Sequence, residues 1–244
     1  MKTLKIIEKI FFPEKCAVCG RTLKVSEENC LCCGSEEEKL SADCCEHCGL
    51  EKDDCCCESR VSAPLSHITG AFHYGGLIQC KLLNYKFGGR KELYKFFGDN
   101  LSERVAVSFS KADFDVVTFV PSSESTVKER GYDQCELISK RASQKLFLPH
   151  EKLLIKAEET PKQHKLTAKE RMTNVIGSFA IKEGDDVKGK TILLCDDIKT
   201  TGATLKECTD VLLASGAKDV YCAAVALTGN LVSPLTLDKE IKNT

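Results

Sequence analysis

Asp196 and Asp197 stand side by side behind the apolar run Ile192-Leu193-Leu194-Cys195, and Thr200, Thr201, Gly202, Ala203 and Thr204 follow at once. Adjacent carboxylates accept hydrogen bonds from vicinal hydroxyls, as on a ribose, and can hold Mg²⁺ beside them. A Thr/Gly loop that opens a helix offers unpaired backbone N–H groups, short hydroxyl donors and a positive dipole end, which suits a phosphate. The acids would repel a bare anion, so the two halves must serve different parts of one ligand. A ribose 5-phosphate fits both. A Walker loop would need Gly-Lys-Ser/Thr where Gly202-Ala203-Thr204 stands. A dinucleotide fingerprint would need three spaced glycines, and this loop has Gly202 alone. A strand running into an N-capped helix would require neither the second acid nor this set of loop residues.

A second chemistry lies near the N-terminus. Of sixteen cysteines, eleven fall between Cys16 and Cys57, and the other five (Cys80, Cys135, Cys195, Cys208, Cys222) are scattered among apolar or helical positions, as small buried hydrophobes would be. Clustered C-x-x-C-G pairs on a chain with no export signal read as metal ligands rather than disulfides. Cys16, Cys19, Cys30 and Cys33 make one tetrahedral Zn²⁺ site. Cys45 and Cys48 begin a second, for which Cys55 and Cys57 are the candidate last ligands despite their C-x-C spacing; His47 lies inside the knuckle, and Cys32 and Cys44 are spare. The zinc, one ion or two, is structural, because some forty residues with few large apolar groups cannot build a core alone. An iron–sulfur cluster is the alternative.

The elements that must position these residues follow from pattern. The run at 192–195 reads as a buried strand that ends at the acids, where an open α/β sheet binds its ligands. Leu205, Cys208 and Leu212 give a helix closed by Gly216, and residues 220–227 a last strand. Residues 116–121 (VVTFVP) are another buried strand, followed by a polar turn and a helix from about Cys135 to Leu146 with Cys135, Ile138, Ala142 and Leu146 on one face. Alternating strands and helices predict a parallel sheet with helices on both faces. The chain of 244 residues divides into 1–62, an amphipathic segment and the cysteine-rich module; 63–230, the α/β domain; and a tail, 231–244. No apolar run approaches the roughly 20 residues of a membrane span. The opening MKTLKIIEKIFF reads as a packing helix, not a signal peptide, and the chain is expected in the cytoplasm.

Breaking a sugar–pyrophosphate bond develops charge that Mg²⁺ and placed cations stabilise. Lys128 and Arg130 in one loop, and Lys162, Lys165 and Arg171 in a later one, are the candidates. Tyr74, Tyr85, Phe87 and Tyr132 lie near cations and could stack bases, though core packing is the commoner use of such residues.

The pieces together resemble the ComF family of competence-associated phosphoribosyltransferase-like proteins, over Cys16 to about Leu227. The resemblance rests on the cysteine-rich double zinc ribbon, Val120-Pro121, Arg130-Gly131-Tyr132-Asp133-Gln134, Thr160-x-x-Gln163-x-x-Leu166 with Arg171 and Asn174, and Asp196 to Thr204. It implies a type I phosphoribosyltransferase-like parallel sheet behind a zinc ribbon. It also implies binding of phosphoribosyl pyrophosphate (PRPP) or a related phosphosugar with Mg²⁺, and a part in the uptake of single-stranded DNA during natural transformation. Phe119 departs from the family's P-V-P, and Lys156 and Glu158 stand where the family commonly has R-x-R. Glu158 puts an anion near the pyrophosphate path, against vigorous turnover. An active nucleotide-salvage transferase and a non-catalytic PRPP-sensing regulator are the alternatives.

Overall fold

The computed structural model describes residues 13, 15–16, 22–23, 39–41, 43–55, 57, 65–156, 177–184 and 186–229. The expectations for residues 1–12, for Cys19, Cys30, Cys33, Lys162, Lys165 and Arg171, for the boundary near residue 62 and for the tail lie outside these residues.

The elements, in chain order, are β1 (Ile68–His73), α1 (Gly76–Phe87), α2 (Leu93–Ser108), β2 (Val116–Phe119), α3 (Glu124–Arg130), α4 (Gln134–Leu146), β3 (Leu154–Lys156), β4 (Phe179–Ile181), β5 (Thr191–Lys199), α5 (Ala203–Ala214) and β6 (Asp219–Leu227). Four strands form one parallel sheet in the order β1-β6-β5-β2, and β3 pairs antiparallel with β4. Alternation along β5 sends its side chains to two cores. Leu193 and Cys195 pack with Leu82, Phe97, Leu101 and Ile138 of α1, α2 and α4. Ile192 and Leu194 pack with Leu205, Cys208 and Leu212 of α5 and with Leu154 and Phe179 of the β3–β4 pair. Each fully buried Leu or Ile here contributes roughly 1.5–3 kcal/mol, so the central strand is secured from both faces.

β5 is longer than its apolar run indicates. Its pairing with β2 ends at Phe119↔Cys195, where Pro121 and the short segment into α3 lead β2's chain away. Its pairing with β6 continues through Asp196↔Ala224 to Lys199↔Leu227. The acids therefore lie on a strand still held on one side and open on the other. One further reading is corrected. Cys80 is exposed on α1 rather than buried, although Cys135, Cys195, Cys208 and Cys222 are buried. Tyr85 is fully buried against Phe97 and Tyr132, which is the core-packing use of the two weighed for it.

α4 begins at Asp133, whose Oδ1 accepts the N–H of Cys135 at 2.9 Å and of Glu136 at 3.3 Å, while Oδ2 accepts that of Ser122 at 2.7 Å. One side chain thus caps the helix and ties down the loop after β2. The helix ends at Phe147, which has φ 57° and is 93% exposed. A left-handed conformation costs a residue with a Cβ roughly 1–2 kcal/mol, and this ring offsets none of it by burial. Phe147→Gly is expected to raise the denaturation midpoint, by about 1 kcal/mol in stability; an unchanged or lowered urea midpoint would show that the ring contributes packing.

Candidate functional site

The open side of β5 faces a cavity of about 210 Å³. Its walls are residues 120–123 after β2, Thr126 of α3, Gln134 and Cys135 at the start of α4, and Lys156 and Phe179 of the β3–β4 pair. Asp196, Asp197, Thr204 and Lys86 of α1 complete it. The position, past the carboxyl end of β2 and beside the strand that continues, is the crevice in which open α/β sheets bind ligands.

Lys86 Nζ stands 2.9 Å from Asp197 Oδ2, and both side chains are largely buried. The contact is charge against charge: Oδ2 makes no well-directed hydrogen bond among the described residues. Burial opposes the charge on Lys86, but the Asp197 carboxylate more than offsets it and raises the lysine's pKa. Burial, and then the neighbouring Asp197 charge, pushes Asp196 up to about 7. The Asp197 N–H, donating to Asp196 Oδ1 at 2.8 Å, and the Cys135 thiol, donating to the same oxygen at 3.4 Å, pull the other way. Burial, and then both aspartates, keeps Cys135 well above the usual thiol range, so it serves as a donor. Donor atoms of Cys135, Asp196 and Asp197 lie within 4.8 Å of one another.

The Thr200–Thr204 segment turns from β5 into α5. Gly202 has φ 83°, a left-handed conformation that favours glycine, and no side chain caps the helix there. Thr200 and Thr201 are exposed, and Thr201 Oγ1 accepts the Ala203 N–H at 3.3 Å. The first turn of α5 thus presents donors to the outside at the rim of the cavity.

Of the basic candidates, Lys128 is exposed with its ammonium 4.0 Å from Glu124, and the Arg130 guanidinium lies 4.8 Å above the Phe87 ring. Neither lines the cavity. The cations that do, among the described residues, are Lys86 and Lys156. Lys86 is invisible as a site residue in the sequence, because only the packing of α1 brings it to β5. The adjacent Tyr85 is the one signal: its hydroxyl donates to the Gln134 carbonyl at 3.0 Å, and its own carbonyl accepts the Tyr132 hydroxyl, which locks this turn of α1 against α4.

The thiols of Cys45, Cys48, Cys55 and Cys57 also lie within 4.8 Å of one another. Cys45 Sγ is 3.9 Å from Cys57 Sγ, and Cys48 Sγ is 3.7 Å from Cys55 Sγ. Four converging thiols can hold a tetrahedral ion such as Zn²⁺, and the cluster is consistent with a zinc ribbon module. Burial disfavours the Cys45 thiolate, but hydrogen bonds led by the His47 N–H outweigh it and bring the group down to about 7. The His47 ring is outside the cluster, with Nδ1 3.4 Å from the Leu65 carbonyl, and the Cys44 thiol donates to the Ser41 carbonyl at 3.3 Å. Of the first four-cysteine set, Cys16 alone is among the described residues, and it is buried.

Residues 137–242 match the model of the phosphoribosyl transferase domain family. Competence protein ComFC of Streptococcus pneumoniae is 30% identical over 224 residues, which cover 84% of this chain and 96% of that protein. Competence protein F of Haemophilus influenzae is 27% identical, over 88% of this chain and 98% of its own. Among solved structures, the glutamine PRPP amidotransferase of B. subtilis aligns with a TM-score of 0.39 at 22% identity, over 54% of this chain and a quarter (25%) of that one.

Cys48→Ser is expected to lower the metal content by one equivalent per chain in elemental analysis and to lower the Tm, since metal binding at such a site is folding free energy. Unchanged metal content when Cys45 and Cys48 are both replaced by serine would exclude the four-thiol cluster as a metal centre.

Proposed function

Because this chain belongs to the ComF family, we propose that it binds PRPP or a related phosphosugar in the β5 cavity and serves the handling of incoming DNA in the cytoplasm. The observation that carries the reading is the Asp196–Asp197 pair, Asp197 buried and Asp196 half-buried, lining the cavity on the strand that leads into the Thr200–Thr204 turn. The carboxylates would take the ribose hydroxyls, and residues 200–204 the 5-phosphate. Lys86 and Lys156 add positive charge at the cavity wall, where a pyrophosphate develops its negative charge. Lys128, Arg130, Lys162 and Arg171 are proposed as further pyrophosphate contacts. Arg130 Nη1, buried without a hydrogen-bond partner among the described residues, has a donor to spare.

Asp196 and Asp197 are hard oxygen donors, a fit for Mg²⁺ carried in on the phosphosugar. When bound, Mg²⁺ would neutralise the pyrophosphate oxygens. The four-thiol cluster fits structural Zn²⁺. The DNA part of the reading rests on the names of the relatives, competence proteins ComFC and F. Among the described residues, no helix is long and apolar enough to cross a membrane.

Calorimetric titration of PRPP with Mg²⁺ is expected to show binding to the metal-loaded protein and at least a tenfold loss of affinity in the Asp196→Asn/Asp197→Asn double variant, about 1.4 kcal/mol. No heat with the wild type would refute the phosphosugar reading. Pyrophosphate release on addition of a base would identify an active transferase, and binding without turnover a sensing protein.

A further inference from the structure

Lys199 is the last residue of β5, immediately before the Thr200–Thr204 turn, and it is buried to 5% exposure. A buried ammonium must find acceptors. Its Nζ donates to the backbone carbonyl of Cys48 at 3.0 Å, across 151 residues of sequence. Cys48 belongs to the four-thiol cluster. The next residue, Gly49, has φ 77°, and a Cβ on it would lie 2.6 Å from Leu227 Cδ1, so the knuckle sits directly on the end of β6.

The stem of Lys199 runs close to the turn it precedes. A Cβ on Gly202 would stand 3.4 Å from Lys199 Cε. The Lys199 carbonyl accepts the Thr228 N–H at 3.0 Å, and the Thr228 hydroxyl reaches the carbonyls of Lys199 and Thr200, each at 3.4 Å. One side chain therefore spans from the glycine of the turn to the peptide of a cysteine in the cluster.

We infer that Lys199 is a positioning residue through which the metal knuckle holds the 200–204 turn in its phosphate-accepting shape. Metal occupancy of the Cys45/Cys48/Cys55/Cys57 cluster and affinity for the phosphosugar are thereby coupled. The coupling is reciprocal: whatever metal does for phosphosugar binding, the phosphosugar does for metal retention. The ligand half of this inference rests on the phosphosugar reading above; the conformational half does not.

Lys199→Met keeps the stem beside Gly202 and removes the donor. In wild-type protein, chelation of the metal is expected to weaken PRPP binding about tenfold, within the usual span of coupled sites. In Lys199→Met that retains its metal by elemental analysis, binding is already weakened, and chelation changes it little. Hydrogen exchange of amides 200–204, measured without PRPP, should show the same pattern: protection falls on chelation in the wild type and is low in the variant with or without metal. Equal effects of chelation in both proteins, in either readout, would overturn the inference. So would wild-type turn amides that do not respond to chelation, a result that needs no variant to fold. If no form of the protein binds PRPP, the phosphosugar reading fails, and the exchange measurement still decides whether Lys199 transmits metal occupancy to the turn.

Discussion

Two neighbouring carboxylates taken out of water lose hydration and repel each other, and β5 itself offers them no more than the Asp197 N–H. The ammonium of Lys86, 2.9 Å from Asp197, supplies the opposite charge, and the Asp197 N–H and Cys135 thiol supply hydrogen bonds to Asp196. That arrangement sets conditions on everything around it. α1 must lie against the sheet with its last turn at the carboxyl end, which the buried Tyr85 enforces through Gln134 and Tyr132. α4 must begin beside β5, which the Asp133 cap enforces. β2 must stop short, or there would be no space beside the acids for a ligand. Burial and the neighbouring Asp197 charge still leave Asp196 above the usual carboxylate range.

Much of this was legible in the sequence, wherever the signal is local. The apolar run at 192–195, the period of α4 and α5, and the last strand each depend on residues a few positions apart, and each is present as read. Cys55 and Cys57 do converge with Cys45 and Cys48, although their spacing breaks the C-x-x-C rule. A metal site constrains where thiols meet in space, and a single 3₁₀ turn over Lys52–Asp54 brings the two halves together.

What could not be read depends on packing. β1 and α1 have weak patterns: Ile68–His73 is buried along nearly all its length and includes Gly70, where a Cβ would lie 2.4 Å from Leu227. Strands buried on both faces lose the alternation that identifies strands. Nothing in the sequence marks Lys86 or Lys199, because their partners, Asp197 and Cys48, are far away along the chain. The extension of β5 past its apolar run escaped for the same reason, since it exists only because β6 continues alongside.

The two outer strands of the sheet have a bearing on how this molecule can meet others. The free side of β1 is taken by the cysteine-rich region: Lys39 bridges Phe72, the Leu40 N–H donates to the Ala71 carbonyl at 3.1 Å, and Arg104 of α2 fastens the Leu40 carbonyl at 3.3 Å. The free side of β2 is taken by the chain after α4, through Val117 N–H to the Pro149 carbonyl at 2.9 Å and Glu151 N–H to the Val117 carbonyl at 3.0 Å. An exposed strand edge is a template on which another backbone can add. With a rung occupied on both margins, strand addition is blocked at those points, and whatever the protein joins there must be recognised by side chains instead of by main-chain hydrogen bonds.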